Sequence, residues 1–202
     1  MTSTPINTDK RRTRSQLTRK KLMSAALSCY EQQGILSTTM DDIATSAGVG
    51  RATLYRHFSN RDEVLTQVVI KDLEELQQLL QTRIKKQPNA QEYFVEGVLL
   101  ILRETPKRAM SVILFGEHSA ALTSRLTLSQ DAFKELGEQM LTPFYRYAQV
   151  NNQLRPGVTL ALMVEWVTRV VVSFVTNPSR ILKTEKQLRA FLYPALVSPL
   201  LK

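Results

Sequence analysis

Between Ser37 and Leu65 the chain has little choice but to form two short helices locked at a fixed angle. Thr38 and Thr39 precede Asp41 and Asp42, a capping-box-like start with carboxylates in the first turn, ahead of the short helix 40–46. Gly48 then supplies a residue that turns the chain with φ > 0. Ala44 and Ala47 are small enough for two backbones to approach, and Ile43, Val49, Leu54 and Phe58 recur where a shared core needs them. The second helix, about 51–58, is thereby pinned from behind and presents Arg51, Ala52, Thr53, Tyr55 and His57 outward. Ser59-Asn60 caps a further helix that starts near Arg61 and reaches Lys86.

A helix exposed in this way fits the major groove of B-DNA, about 12 Å wide, with its N-terminal residues at base edges. The outward side chains suit that task. Arg51 donates two bonds to guanine, while Ala52 and the Thr53 methyl meet thymine methyls. Tyr55, His57 and Arg61 are placed for phosphates, and Thr39 adds a hydroxyl and backbone amides at the start of its helix. The plainer alternative, an αα-hairpin with no nucleic-acid role, leaves this outward set without a task.

Charge points the same way. The net charge is +9, and residues 1–61 hold ten Lys/Arg against four Asp/Glu, so most of the excess sits beside the hairpin. The run Lys10-Arg-Arg-Thr-Arg14 reads either as a solvated tail or as an arm that reaches phosphates. A single cysteine, Cys29, excludes an intramolecular disulfide and suggests a reducing, cytoplasmic setting; it falls on the inner face of a helix 16–33 that Gly34 terminates. Met1 to Lys21 lacks the apolar core of a secretory signal. The most apolar segment, 158–176, carries Glu165 and Arg169 near its middle, so no membrane partner is expected. With only His57 and His118 and no ligand-spaced cluster, neither a metal nor a cofactor is expected. An enzyme is the rival class, but no paired nucleophile and base and no glycine-rich phosphate loop support it.

Thr38-Thr-Met-Asp-Asp-Ile-Ala44, Ala47-Gly-Val49 and Thr53-Leu-Tyr-Arg-His-Phe58 together resemble the DNA-binding signature of the TetR family of bacterial regulators, over about residues 15–65. One departure is Gly50, where the family more often has Ser or Ala at the start of its reading helix. The resemblance implies an all-α fold: a basic flexible arm at 1–14, a three-helix helix-turn-helix domain at 15–62 with Gly50 among its DNA-facing residues, and an effector-binding and dimerisation domain at 63–202. It also implies double-stranded DNA with a near-palindromic operator, a small-molecule effector and a second copy of the chain as partners. A DNA-binding architectural protein without an effector is the alternative.

In the body, helices are expected at 90–104, 106–116, 122–150, 158–176 and 184–197, separated by Thr105-Pro106, Ser119, Arg155-Pro156-Gly157 and Asn177-Pro178. Apolar stripes on the last two helices, Val164, Val167, Val171 and Phe174 with Leu188, Phe191, Leu192 and Ala195, suggest a four-helix dimer interface. Leu102, Phe115, Phe144, Tyr147, Met163 and Trp166 read either as plain core or as the lining of an apolar ligand cavity, with His118 and Arg169 as polar handles.

Overall fold

The computed structural model describes residues 6–84, 89–110 and 131–202, with side chains described from Lys10 and, in the last segment, from Lys134. Among the described residues the regular structure is helical, apart from one isolated bridge between Leu154 and Leu201. The chain divides into two compact units, Met1–Val69 and Ile70–Lys202.

The first unit contains α1 (Ile6–Gln33), α2 (Met40–Ser46), α3 (Arg51–His57) and the start of α4 (Arg61–Arg83). Where a loose arm is expected up to residue 14, the helix runs back to Ile6. Nothing in 6–15 is Gly or Pro, and Lys10, Arg11, Arg12 and Arg14 propagate a helix that is already nucleated and anchored further along. Leu22, Ala26, Tyr30, Ile43, Leu54 and Phe58 are each no more than 1 % exposed and form the centre of the unit. Val64, Leu65, Val68 and Val69 on α4 are buried too, and the first compact unit extends through Val69.

The second unit contains the rest of α4, α5 (Ala90–Glu104), a 3-10 turn at Thr105–Lys107, α6 (Asp131–Val150), α7 (Leu160–Thr176) and α8 (Glu185–Leu192), after which a π-turn at Tyr193–Val197 and a final turn at Ser198–Leu200 complete the described chain. Asn89, Thr159 and Thr184 cap α5, α7 and α8 by accepting an amide three residues on. Helix α5 is central and packs against α6, α7 and α8. Its Phe94, Val95, Val98 and Leu99 join Phe144, Met163, Val167, Leu192 and Leu196 in one core. Helices α6 and α7 approach closely: a Cβ on Gly137 would lie 2.9 Å from Cγ1 of Val164. Within this unit Arg108 ties α4 to the turn after α5, bonding the Asp72 carboxylate at 3.0 Å, the Asp72 carbonyl at 2.8 Å and Glu75 at 3.1 Å. The expected helix 106–116 opens as the 3-10 turn, and its remainder lies outside the described residues, as does the first part of 122–150.

Candidate nucleic-acid interface

The hairpin is built by local hydrogen bonds. At the start of α2, Thr39 accepts the Asp42 amide at 3.2 Å while Asp42 accepts the Thr39 amide at 2.9 Å and hydroxyl at 2.7 Å. These bonds, the amide first, hold the Asp42 carboxyl below its ordinary range. They use the Thr39 hydroxyl proton and amide that the sequence suggests for a phosphate, so in this structure Thr39 is the cap of α2. At the end of α2, Gly48 takes φ +58°, its amide meets Thr45 O at 2.9 Å and the Val49 amide meets Ala44 O at 3.0 Å. This six-to-one, five-to-two pair reverses the chain and launches α3.

Helix α3 has two unlike sides. Leu54 and the following Phe58 are buried, while Arg51, Ala52, Tyr55 and Arg56 are exposed and Thr53 and His57 are half-buried. Gly50 is the N-cap, offers no side-chain acceptor, and has open space where a Cβ would stand. Arg56 escaped the sequence reading. Helical spacing gives the signal, because positions 51, 52, 55 and 56 share the side opposite Leu54.

Two arginines prove to be braces. Arg61 donates to the carbonyls of Leu36 at 3.0 Å and Thr38 at 3.2 Å, tying the α1–α2 connection to the start of α4. Arg61, expected at a phosphate, thus has a brace role within the head, made through Nη1. Arg19 donates to the His57 carbonyl at 3.0 Å and stacks over Phe58 at 4.5 Å, holding the end of α3 on α1. Burial, then the Arg56 and Arg19 cations, lowers the His57 pKa, so this imidazole is neutral near pH 7 and would offer a phosphate only a neutral donor.

Arg51 is held differently. Its Nη1 lies 3.1 Å from Oδ2 of Asp41 on α2, and its guanidinium sits 5.5 Å from the Tyr55 ring centroid. Lys20 and Lys21 are exposed on α1, and the Lys21 ammonium lies 3.7 Å from where a Gly48 Cβ would stand, beside the turn.

In the body, the residues expected to form a dimer face separate into two groups. Val164, Val167 and Leu192 are buried within the chain itself, and Val171 and Leu188 pack against its core. Phe174 and Phe191 meet edge to face at 5.7 Å, with Phe191 exposed and Ala195 half-buried. The residues expected to line a cavity also separate. Phe144 and Met163 lie within the core, with Leu102 packed against it. Tyr147 and Arg169 are on the surface, Arg169 paired with Glu165 at 2.6 Å. Trp166 is exposed too, its indole N–H bonded to Ala195 O at 3.1 Å. Phe115 and His118 lie outside the described residues.

Two short helices locked through a glycine turn, the second with a basic outer side, on an all-helical chain, define a helix-turn-helix DNA-binding protein. Residues 22–68 match the model of bacterial regulatory proteins of the tetR family. The chain is 23% identical over 188 residues to an uncharacterized HTH-type transcriptional regulator of Mycobacterium tuberculosis, covering 92% of this chain and 88% of that protein. Its fold is similar to that of the TetR family repressor AlkX from Dietzia, implicated in biodegradation of n-alkanes (TM-score 0.63, 20% identity, 90% of this chain and 94% of that one). It is also similar to that of the transcriptional regulator FadR from Bacillus subtilis, solved in complex with stearoyl-CoA (TM-score 0.58, 16% identity, 89% and 97%). Residues 22–68 thus carry a DNA-binding domain of the tetR type, and the chain as a whole is similar to HTH-type transcriptional regulators in sequence and to TetR-family regulators in fold.

Proposed function

We propose that the protein is a homodimeric repressor that reads a near-palindromic operator with two copies of α3 and releases it when a small, mainly apolar molecule binds the body. The observation that carries this reading is the two-sided α3, with Leu54 buried and Arg51, Ala52, Tyr55 and Arg56 exposed. Arg51, Ala52 and Thr53 face bases in the major groove, while Tyr55, Arg56, Lys20 and Lys21 supply phosphate contacts.

Dimerisation is supported by large apolar side chains left exposed on the last helices, Leu162, Trp166 and Phe191, with Phe174 beside them. Such a dimer presents its reading helices to half-sites roughly 34–36 Å apart, or a multiple of that. The apolar effector is supported by the core among α5, α6 and α7, where Leu102, Phe144 and Met163 lie, and by the acyl ligand of FadR. A tenfold loss of operator affinity requires only about 1.4 kcal/mol of differential binding. The protein acts in the cytoplasm, where the DNA is.

The test is selection of duplexes from a randomised pool, followed by binding to the selected site with and without long-chain acyl compounds, stearoyl-CoA included, while mass is followed by sedimentation. A symmetric consensus bound by a dimer and released by an acyl compound is expected. Tight binding by a monomer overturns the dimer, and operator affinity indifferent to every acyl probe overturns the effector class. Leu162→Glu with Trp166→Glu is expected to weaken operator binding about 10²–10⁴-fold, because the second half-site contact is no longer intramolecular.

A further inference from the structure

We infer that Asp41 is a specificity-determining positioning residue: with Tyr55 it holds the Arg51 guanidinium in the orientation from which a base is read. This rests on the DNA-reading function proposed above and names the residue that sharpens it.

Asp41 stands in the first turn of α2 and its carboxylate crosses to α3, meeting Nη1 of Arg51 at 3.1 Å. The contact has no evident structural task. Both side chains are more than half exposed, and exposed ion pairs contribute little to stability. Capping of α2 is done by Thr39 and Asp42, and the angle between α2 and α3 is set by buried Ile43, Ala44 and Leu54 with the Gly48 turn. An exposed carboxylate on the face that meets a polyanion lowers affinity for every sequence alike. A side chain that adds little stability and costs affinity is accounted for by its effect on its one bonded partner.

That effect is orientation. An arginine carries five donors in a rigid fork, and an unrestrained one reaches the nearest phosphate as readily as a base. Asp41 takes one donor, and Tyr55, one turn on in α3, offers its ring to the guanidinium plane. The remaining donors are left for a paired acceptor such as guanine O6 and N7. Ordering Arg51 before binding reduces what complex formation must immobilise, and the carboxylate disfavours the competing phosphate pose.

The experiment uses the full-length protein and the duplex that the wild type selects from a randomised pool. Affinity is measured for that duplex, for its single-base variants and for unrelated DNA, across a salt series, with Asp41→Asn, Asp41→Glu and Tyr55→Leu. Asp41→Asn is expected to bind unrelated DNA at least as tightly as wild type, yet to lose discrimination at one base position per half-site by about three- to tenfold, a fraction of what a good bidentate contact provides. Asp41→Glu restores part of that discrimination, Tyr55→Leu lowers it at the same position, and the unfolding temperature of Asp41→Asn stays at the wild-type value. Affinity that rises equally for all sequences with base preference intact overturns the inference, since Asp41 is then only a repelling charge. Uniform loss of binding with a lowered unfolding temperature also overturns it, marking a structural residue. A wild type that selects no sequence overturns the DNA-reading function itself, a failure visible before any variant is made.

Discussion

The two units are held together by different means. In the first, residues 6–69, the core uses many small side chains, Ala25, Ala26, Ala44 and Ala47, and the polar bonds are short-range caps and braces, of which the Arg19 bond to His57 spans 38 positions. In the second, large aliphatic and aromatic side chains fill the core, and ion pairs join distant segments: Arg103 to Glu185 across 82 positions and Arg189 to Glu92 across 97. Small side chains allow helices to approach and hold one angle, which a reading head requires. In the function proposed above the body meets no groove, and its long-range ion pairs have only to hold its own distant segments together.

The largest expected effect separates the two units. Phe58→Ala opens the centre of the head and costs about 3–5 kcal/mol. A unit of this size has little stability to spare. Calorimetry should show the head transition lost and DNA binding abolished while the body still melts cooperatively; a single transition lowered as a whole would break the comparison.

The converse variant is Gly137→Ala. Its Cβ meets Val164 Cγ1 at 2.9 Å, so either the Val164 side chain or the spacing of α6 and α7 must shift. A cost of about 1–3 kcal/mol is expected in the body transition alone, with the head transition and the affinity of α3 for unrelated DNA unchanged.

Arg61→Ala sharpens the comparison at the seam of the head. Loss of the bonds to Leu36 O and Thr38 O should lower head stability by roughly 1 kcal/mol, while the salt dependence of DNA binding keeps its slope. A slope flattened by about one unit would make Arg61 a phosphate ligand after all.

The smallest effect is on acidification. His57 has a folded pKa below its ordinary 6.5, so as pH falls through 6.5 the unfolded chain takes up a proton before the folded one, and the head loses stability. Asp42 and Glu63 are also lowered, by bonds from Thr39 and Ser59; their contribution is present above their ordinary values and lost as pH falls through the folded ones. The head transition should therefore decline first below pH 6.5 and again near pH 4. His57→Gln should remove the first decline, read by thermal melts at successive pH values.

The same contrast explains what the sequence reveals. Helices α2 and α3 are legible to within a residue because their caps and the Gly48 turn act over three to six positions. The braces are not: the carbonyls that Arg61 and Arg19 bind carry no side-chain signature, so Arg61 reads as a free cation. In the body, periodicity identifies the apolar sides of α7 and α8 but not what covers them. Val164, Val167 and Leu192 therefore read as a dimer face although they are buried within the chain itself, and Trp166 reads as a cavity wall although it is exposed. The extension of α1 to Ile6 is hidden for another reason, since residues 10–17 are all exposed and leave no periodic trace.

Helix α4 belongs to both units: it starts in one at Arg61 and ends in the other at Arg83, 23 residues without a glycine or proline. At about 1.5 Å per residue it is a rod roughly 33 Å long, and a tilt of about 5° at one end carries the other through about 3 Å. That displacement is close to the rise of one base pair, about 3.4 Å. In the repressor proposed above, a tilt too small to disturb the packing around one end of α4 would shift its other end by about the rise of one base pair, and length alone would supply that gain.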